Sequence, residues 1–296
     1  MADVSSPRFP VPSMRQGDDW RPLSARLRAD GTDIPEPLRE DCPPFLEDAL
    51  REWASSAVGN TLTWRRIALR FGLTKHPAGW ETTVTIARVS DDWWLEVVDA
   101  VLHFMTLGEE PLDEYEIADL NEIFQDAGAA WEVSETADGL QRRVDPTVKQ
   151  AQARARETAE KAGRLAASER LQKAWVAVYG RHPDPGAAYR HAVAAVEDVA
   201  CPLFLPRDQA PTLGKVRAHL QQSATKYEMV ISDSNGAPAS IDAVTALVGL
   251  LWHGQRDRHE GGPTSASISQ EAAEQAVHVA SLLVTTIGGG ALRRLP

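Results

Sequence analysis

The chain has 296 residues, of which 43% are hydrophobic and 25% charged, and this ordinary globular usage excludes collagen, wholesale disorder and coiled-coil fibre. No stretch approaches the roughly 20 consecutive apolar residues of a membrane span, and two cysteines, Cys42 and Cys201, are too few for a disulfide framework or a multi-cysteine zinc site. The net charge of −11 is uneven: residues 1–148 hold 28 Asp and Glu against 14 Lys and Arg, whereas residues 149–296 hold 14 against 17, so any contact with a phosphate backbone is expected in the second half.

Residues 1–44 carry eight of the 19 prolines and no periodicity, which predicts a flexible or loosely docked arm. Its opening, Met-Ala-Asp-Val-Ser-Ser-Pro-Arg, lacks the apolar segment of a secretory signal. With so few cysteines, a reduced, cytoplasmic protein is expected. From Phe45 the pattern turns helical, with Phe45, Ala49 and Trp53 one turn apart and then Trp64, Ala68 and Phe71. Residues 80–89 favour an extended stretch through their β-branched content. Ser90 is an expected N-cap for a helix whose stripe is Trp94, Val97, Val98, Val101 and Met105, ended by Gly108. Another helix follows Pro111, with Ile117, Leu120 and Phe124 on one face. Asp138-Gly139 between two short alternating runs predicts a hairpin over 130–144.

Asp145-Pro146 then starts a basic helical stretch over 147–180 that reads as one helix or two nearly continuous ones. Residues 149–181 hold eight Lys and Arg against three Glu, read as a solvated face on a helix connecting two domains. Beyond it, Asp184-Pro185, Thr212, Ser240 and Ser269 each open an amphipathic helix, and Gly288-Gly-Gly290 stops the last. The expected architecture is mainly α: an acidic helical domain over 45–146 with its hairpin, a connecting helix over 147–180, a helical bundle over 181–290, and a tail at 291–296.

The densest cluster of chemistry is Trp252-His253-Gly254-Gln255-Arg256-Asp257-Arg258-His259-Glu260-Gly261-Gly262, directly after an apolar helix. A helix C-terminus exposes carbonyls that favour Arg256, Arg258 and a protonated His259, which is one account of the cluster. His253 and Asp257 stand four apart without a third ligand, so no metal site is expected, and no phosphate loop signals a cofactor. The other account is RNA cleavage without a metal. There a 2′-OH attacks the adjacent phosphate, His259 handles the proton, and Arg256 and Arg258 hold phosphate oxygens. One imidazole cannot both accept and donate at once, so two copies around a shared cleft would serve better.

The runs Leu171-Gln-Lys-Ala-Trp175-Val-Ala-Val-Tyr179-Gly180-Arg-His-Pro183-Asp184-Pro185, Ala188-Tyr189, Ala192-Val193, Ala195-Val196-Glu197 and Thr212-Leu213-Gly214-Lys215 resemble the abortive-infection-type C-terminal domain related to the HEPN superfamily. So do Gln255, Arg258-His259 and Ala272 through Leu283, and the resemblance covers about residues 168–287. It implies a bundle of four to five helices, a homodimer, and a phage-defence effector that cleaves RNA without a metal or cofactor. His259, Arg258 and Arg256 would be catalytic, with Gln255, Asp257 and Glu197 supporting. Arg256 and Arg258 stand three and one residues before His259, closer than the family's pattern, and Glu260 separates His259 from Gly261. The alternative is a non-catalytic module of the same fold that binds a nucleotide, nucleic acid or partner protein.

Overall fold

The computed structural model describes residues 38–108, 111–254 and 267–295. In the acidic half, helix α1 (Pro44–Ala57) turns Leu46, Leu50, Trp53, Ala54 and Ala57 inward. The stripe expected through Phe45 lies one residue off, and Phe45 itself is 56% exposed. Asn60 caps α2 (Thr61–Arg70) through the Thr63 N–H. Residues 80–85, expected to be extended, form a short helix α3 (Trp80–Thr85). Local bonding and burial override the weak β preference there: Thr83 Oγ1 donates to the Gly79 carbonyl, the Trp93 indole donates to Val84, and Val84 is fully buried. Helix α4 (Trp93–Thr106) begins three residues beyond the expected cap; Ser90 contributes its carbonyl to the Trp93 N–H, not its hydroxyl. Helix α5 (Glu114–Asp126) starts from a capping box in which Asp113 and Glu116 each accept from the other's backbone N–H.

Strands β1 (Trp131–Val133) and β2 (Leu140–Arg142) form the expected hairpin, with Val133 opposite Leu140. Its loop is longer than an Asp-Gly turn. Ala137 takes the left-handed conformation at φ 55°, and the Asp138 carboxylate accepts from the Ser134 and Thr136 hydroxyls. The preceding segment is held against this hairpin: Arg39 exchanges backbone hydrogen bonds with Gly128 and Ala130, and the Trp131 indole donates to the Glu40 carbonyl. Of the expected loose arm, residues 1–37 lie outside the described residues, and 38–43 are docked in this way.

Of the two readings of the connecting stretch, the structure has two nearly continuous helices, α6 (Pro146–Lys161) and α7 (Leu165–Tyr179), separated at Gly163 with φ 71°. Their buried Ala155, Ala159, Ala167 and Leu171 join one core with α8 (Pro185–Phe204), α9 (Leu213–Gln222), α10 (Asp242–Gly254) and α11 (Gln270–Gly288). The pair belongs to the bundle because each helix carries an alanine stripe opposite its basic face. Pro202 sits inside the last turn of α8. Asp184, Thr212 and Ser269 cap as expected, accepting from Ala187, Lys215 and Ala272. The expected tail instead supplies β4 (Leu292–Arg294), paired antiparallel with β3 (Tyr227–Met229), which buries Leu292. The result is a mainly α chain with two small antiparallel sheets among the described residues. No described helix is long and apolar enough to cross a membrane.

Cations from the basic stretch tie the two cores together. Arg181 donates to Asp92 and Glu96, both at 3.1 Å, while its guanidinium lies 4.6 Å from the centre of the Trp131 ring. Lys149 pairs with Glu132 and Arg156 with Glu135, and the His182 Nε2 lies 3.0 Å from a Glu96 carboxylate oxygen. The charge asymmetry of the sequence is therefore partly consumed inside the molecule: several cations expected on a solvated face meet the carboxylates of the other half.

Candidate functional site

Gln255, Arg256, Asp257, Arg258 and His259 lie outside the described residues, so the structure does not bring them together or apart. It does place the two ends of their segment. Helix α10 delivers the chain at Gly254, and α11 receives it through Ser267, Ile268 and the capping Ser269. The local sequence explains the departure point. Tyr189 of α8 donates its hydroxyl to the Leu251 carbonyl at 3.2 Å, satisfying a group that the helix end leaves open. A side chain at 254 would meet that hydroxyl at 2.0 Å, so only glycine fits. Gly214 on α9 is held to its size in the same way, since a Cβ there would come within 2.5 Å of the Trp252 ring. A cavity of about 380 Å³ opens at this point, lined by Tyr189, Leu251, Gly254, Ser267, Ala272 and Gln275 among others.

A second cavity, about 400 Å³, is lined by Arg170, Arg190, His191, Glu197, Thr212 and Trp252. It is built from facing turns of α7 and α8, with Trp252 supplied by the last turn of α10. Burial holds the His191 imidazole below its ordinary 6.5, and the charges of Lys173, Arg170 and Arg190 lower it further. Near neutral pH His191 is therefore a neutral ring, able to accept a proton beside cations that attract phosphate. Arg170 also bonds Asp198, which fixes its guanidinium on this face.

Glu197, expected to support an arginine of the cluster, accepts the Leu213 N–H at 2.7 Å. Leu213 is the first residue of α9, so the carboxylate serves the positive end of that helix beside Thr212. Tyr189 and Trp175 belong to the bundle core and are each 5% exposed. Sequence reasoning gave Arg170 and His191 no role and considered Arg190 only as an ordinary ion-pair partner for Glu197. Their signal was present: Arg170 and Lys173 lie three apart on α7, and Arg190-His191 is adjacent on α8, but only the packing of α7 against α8 merges them into one patch. Among the described residues no group of three or more His, Cys, Asp and Glu could hold a metal ion.

No family model, no curated protein and no solved structure matches this chain.

Proposed function

We propose that this chain is a phage-defence effector of the abortive-infection type, whose HEPN-like bundle binds RNA and cleaves it without a metal. The observation that carries the reading is the groove in which Arg170 and Arg190 flank the neutral His191 ring, bordered by Trp252 in the last turn of α10, which precedes Arg256, Arg258 and His259 in the sequence. The groove offers what a phosphodiester needs for docking: forked cations for phosphate oxygens and an aromatic ring for a base. Arg256 and Arg258 would then hold the reacting phosphate. His259 would take the 2′-OH proton, and a second copy of the chain in a homodimer would return a proton to the leaving 5′ oxygen.

Incubation of the purified protein with total cellular RNA in EDTA, beside His259→Ala, tests the reading. Cleavage is expected from the parent, reduced about 10²–10⁴-fold in the variant, the range of a lost general acid–base group. Equal behaviour of the two proteins sinks the nuclease. RNA retention without cleavage by either supports the binding module instead. Arg190→Ala should weaken RNA binding across sequences and lower the salt slope by about one.

A further inference from the structure

The outer face of α2 differs in charge from the half of the chain that carries it. Residues 53–80 contain no Asp or Glu, although residues 1–148 hold 28. Thr63, Trp64, Ile67 and Ala68 are buried, so helical periodicity turns Leu62, Arg65, Arg66, Leu69 and Arg70 outward. Leu62 is 47% exposed and Leu69 58%. They stand seven residues apart, about 10 Å along one line of the helix, with Arg65 on one flank and Arg66 and Arg70 on the other. An apolar pair at heptad spacing between cations is the pattern of a seam that meets another helix.

Helix α5 presents the complement. Leu120 and Phe124 are buried, so Tyr115, Asp119, Glu122 and Asp126 share the opposite side, and Tyr115 is 85% exposed. Residues 113–141 hold nine carboxylates and no Lys or Arg. The ion pairs of the acidic half use Arg51, Arg88 and Arg142. Among the described residues, neither the three arginines of α2 nor the three carboxylates on the outer side of α5 have an ion-pair partner. Within one chain α2 packs on α4 and α5 on α1.

RNA would meet the arginines but leave Leu62 and Leu69 bare, and the carboxylates of this half repel a phosphate chain. A second copy of this chain offers an exposed ring and three carboxylates on one helix. We infer that α2 docks on α5 of a second copy, with the leucines against the Tyr115 ring and the arginines toward Asp119, Glu122 and Asp126. Each copy carries both faces, so a two-fold pair makes the contact twice. The net charge of −11 opposes the approach of two copies. At about 0.1 M salt, however, its reach is only about 10 Å, and the faces in contact decide. The contact is separate from any pairing of bundles for RNA cleavage and does not rest on that reading.

Sedimentation velocity of the full chain over rising concentration tests this at about 0.1 M salt and at about 1 M, where the screening length falls to about 3 Å. The parent is expected to form a larger species at the lower salt. Arg66→Glu with Arg70→Glu, and separately Asp119→Lys with Asp126→Lys, should each weaken association about tenfold or more there, because exposed attractions worth a few-fold each become repulsions. All four positions are exposed, so the helical circular dichroism should not change. Mixing the two variants sets acidic α2 against basic α5 and basic α2 against acidic α5, and should restore the parent's association. A dimer held by the bundle would persist in both variants and is told apart in this way. A parent indifferent to salt, variants that associate as the parent does, or a mixture without recovery overturns the inference. So does loss of RNA retention by the α2 variant with unchanged sedimentation, which would assign the face to RNA. Should a double variant fail to fold, Arg66→Glu and Asp119→Lys alone take the same test.

Discussion

The two cores of this chain are filled in opposite ways. The acidic half buries Trp53, Trp64, Trp93, Trp94 and Trp131, while the bundle buries a run of alanines including Ala155, Ala159, Ala174, Ala192, Ala195, Ala276 and Ala280. Helix length explains the contrast. Helices α1 to α5 span 6 to 14 residues, and short helices that meet only briefly leave wide gaps that large rings fill. Helices α8 and α11 span 20 and 19 residues, and small side chains let such long elements lie close along their length. Polar atoms follow the same division. Buried indoles need acceptors, and Trp53 and Trp93 find theirs in the Glu116 and Val84 carbonyls, whereas the Trp94 Nε1 has no hydrogen-bond partner among the described residues.

The largest expected effect comes from emptying the ring-filled core. Trp64→Ala should cost about 3–5 kcal/mol in urea unfolding, because the 2% exposed ring leaves a cavity its neighbours cannot close. Enlarging the alanine-filled core should cost less. Ala192→Leu is expected to lose about 1–3 kcal/mol by forcing α8 away from its neighbours. A reversed order, with the bundle substitution the costlier, would break the contrast.

Arg181→Ala tests whether the cores unfold together. The side chain is 12% exposed and bonds two carboxylates, so its loss should cost about 1–3 kcal/mol. It should also separate one cooperative transition into two, read by tryptophan fluorescence for the acidic core and far-ultraviolet circular dichroism for the bundle. A single transition, merely shifted, would mean that the remaining pairs and the Gln141–Trp175 hydrogen bond suffice.

A smaller effect concerns Asp99, which accepts the Leu140 N–H at 2.7 Å across the hairpin junction. Burial is the largest influence on this carboxyl and raises it above its ordinary 3.8. The folded state then binds the proton more tightly than the unfolded chain, so this contribution to stability is complete below 3.8 and is lost as pH rises through the raised value. Asp99→Asn keeps an acceptor for Leu140 and has no proton to lose. Its stability relative to the parent should therefore rise across that window, and a flat difference between pH 3 and 6 would refute the assignment.

The finest comparison uses the cysteines, one in each core. Burial pushes the Cys42 thiol up to about 12 and the Cys201 thiol up to about 11, with nearby carboxylates adding to both. Neither should react with iodoacetamide at pH 8 until its own core opens. The two labelling rates, followed by mass spectrometry, therefore report the two openings separately; prompt modification of either in the native protein would contradict its burial.

Much of the fold was legible along the chain. Asp145-Pro146, Asp184-Pro185, Thr212 and Ser269 are helix starts whose chemistry is local, and the structure shows each side chain accepting the backbone N–H that a cap satisfies. The misses share a cause. Residues 80–85 have β-branched content but are held as a helix by Trp93 and Gly79, and the basic face of 149–181 looked solvated until Glu132, Glu135, Asp92 and Glu96 met it. Leu292 and the arginines after it carry no strand signal of their own; they pair only because Tyr227–Met229 lies alongside. For the candidate site, the sequence singled out Arg256, Arg258 and His259 by crowding, yet gave Arg190 and His191 no more weight than any helical surface.

Determined by the sequence alone were the helical class, the capped helix starts, the hairpin, and the amphipathic stripes, all of which depend on residues within a few positions of one another. Tertiary structure decided the rest: that the basic stretch folds back into the bundle and that Arg181 locks it to the acidic half. Those outcomes depend on which faces meet across long separations, and burial and charge pairing at such a distance leave no periodic trace in the chain.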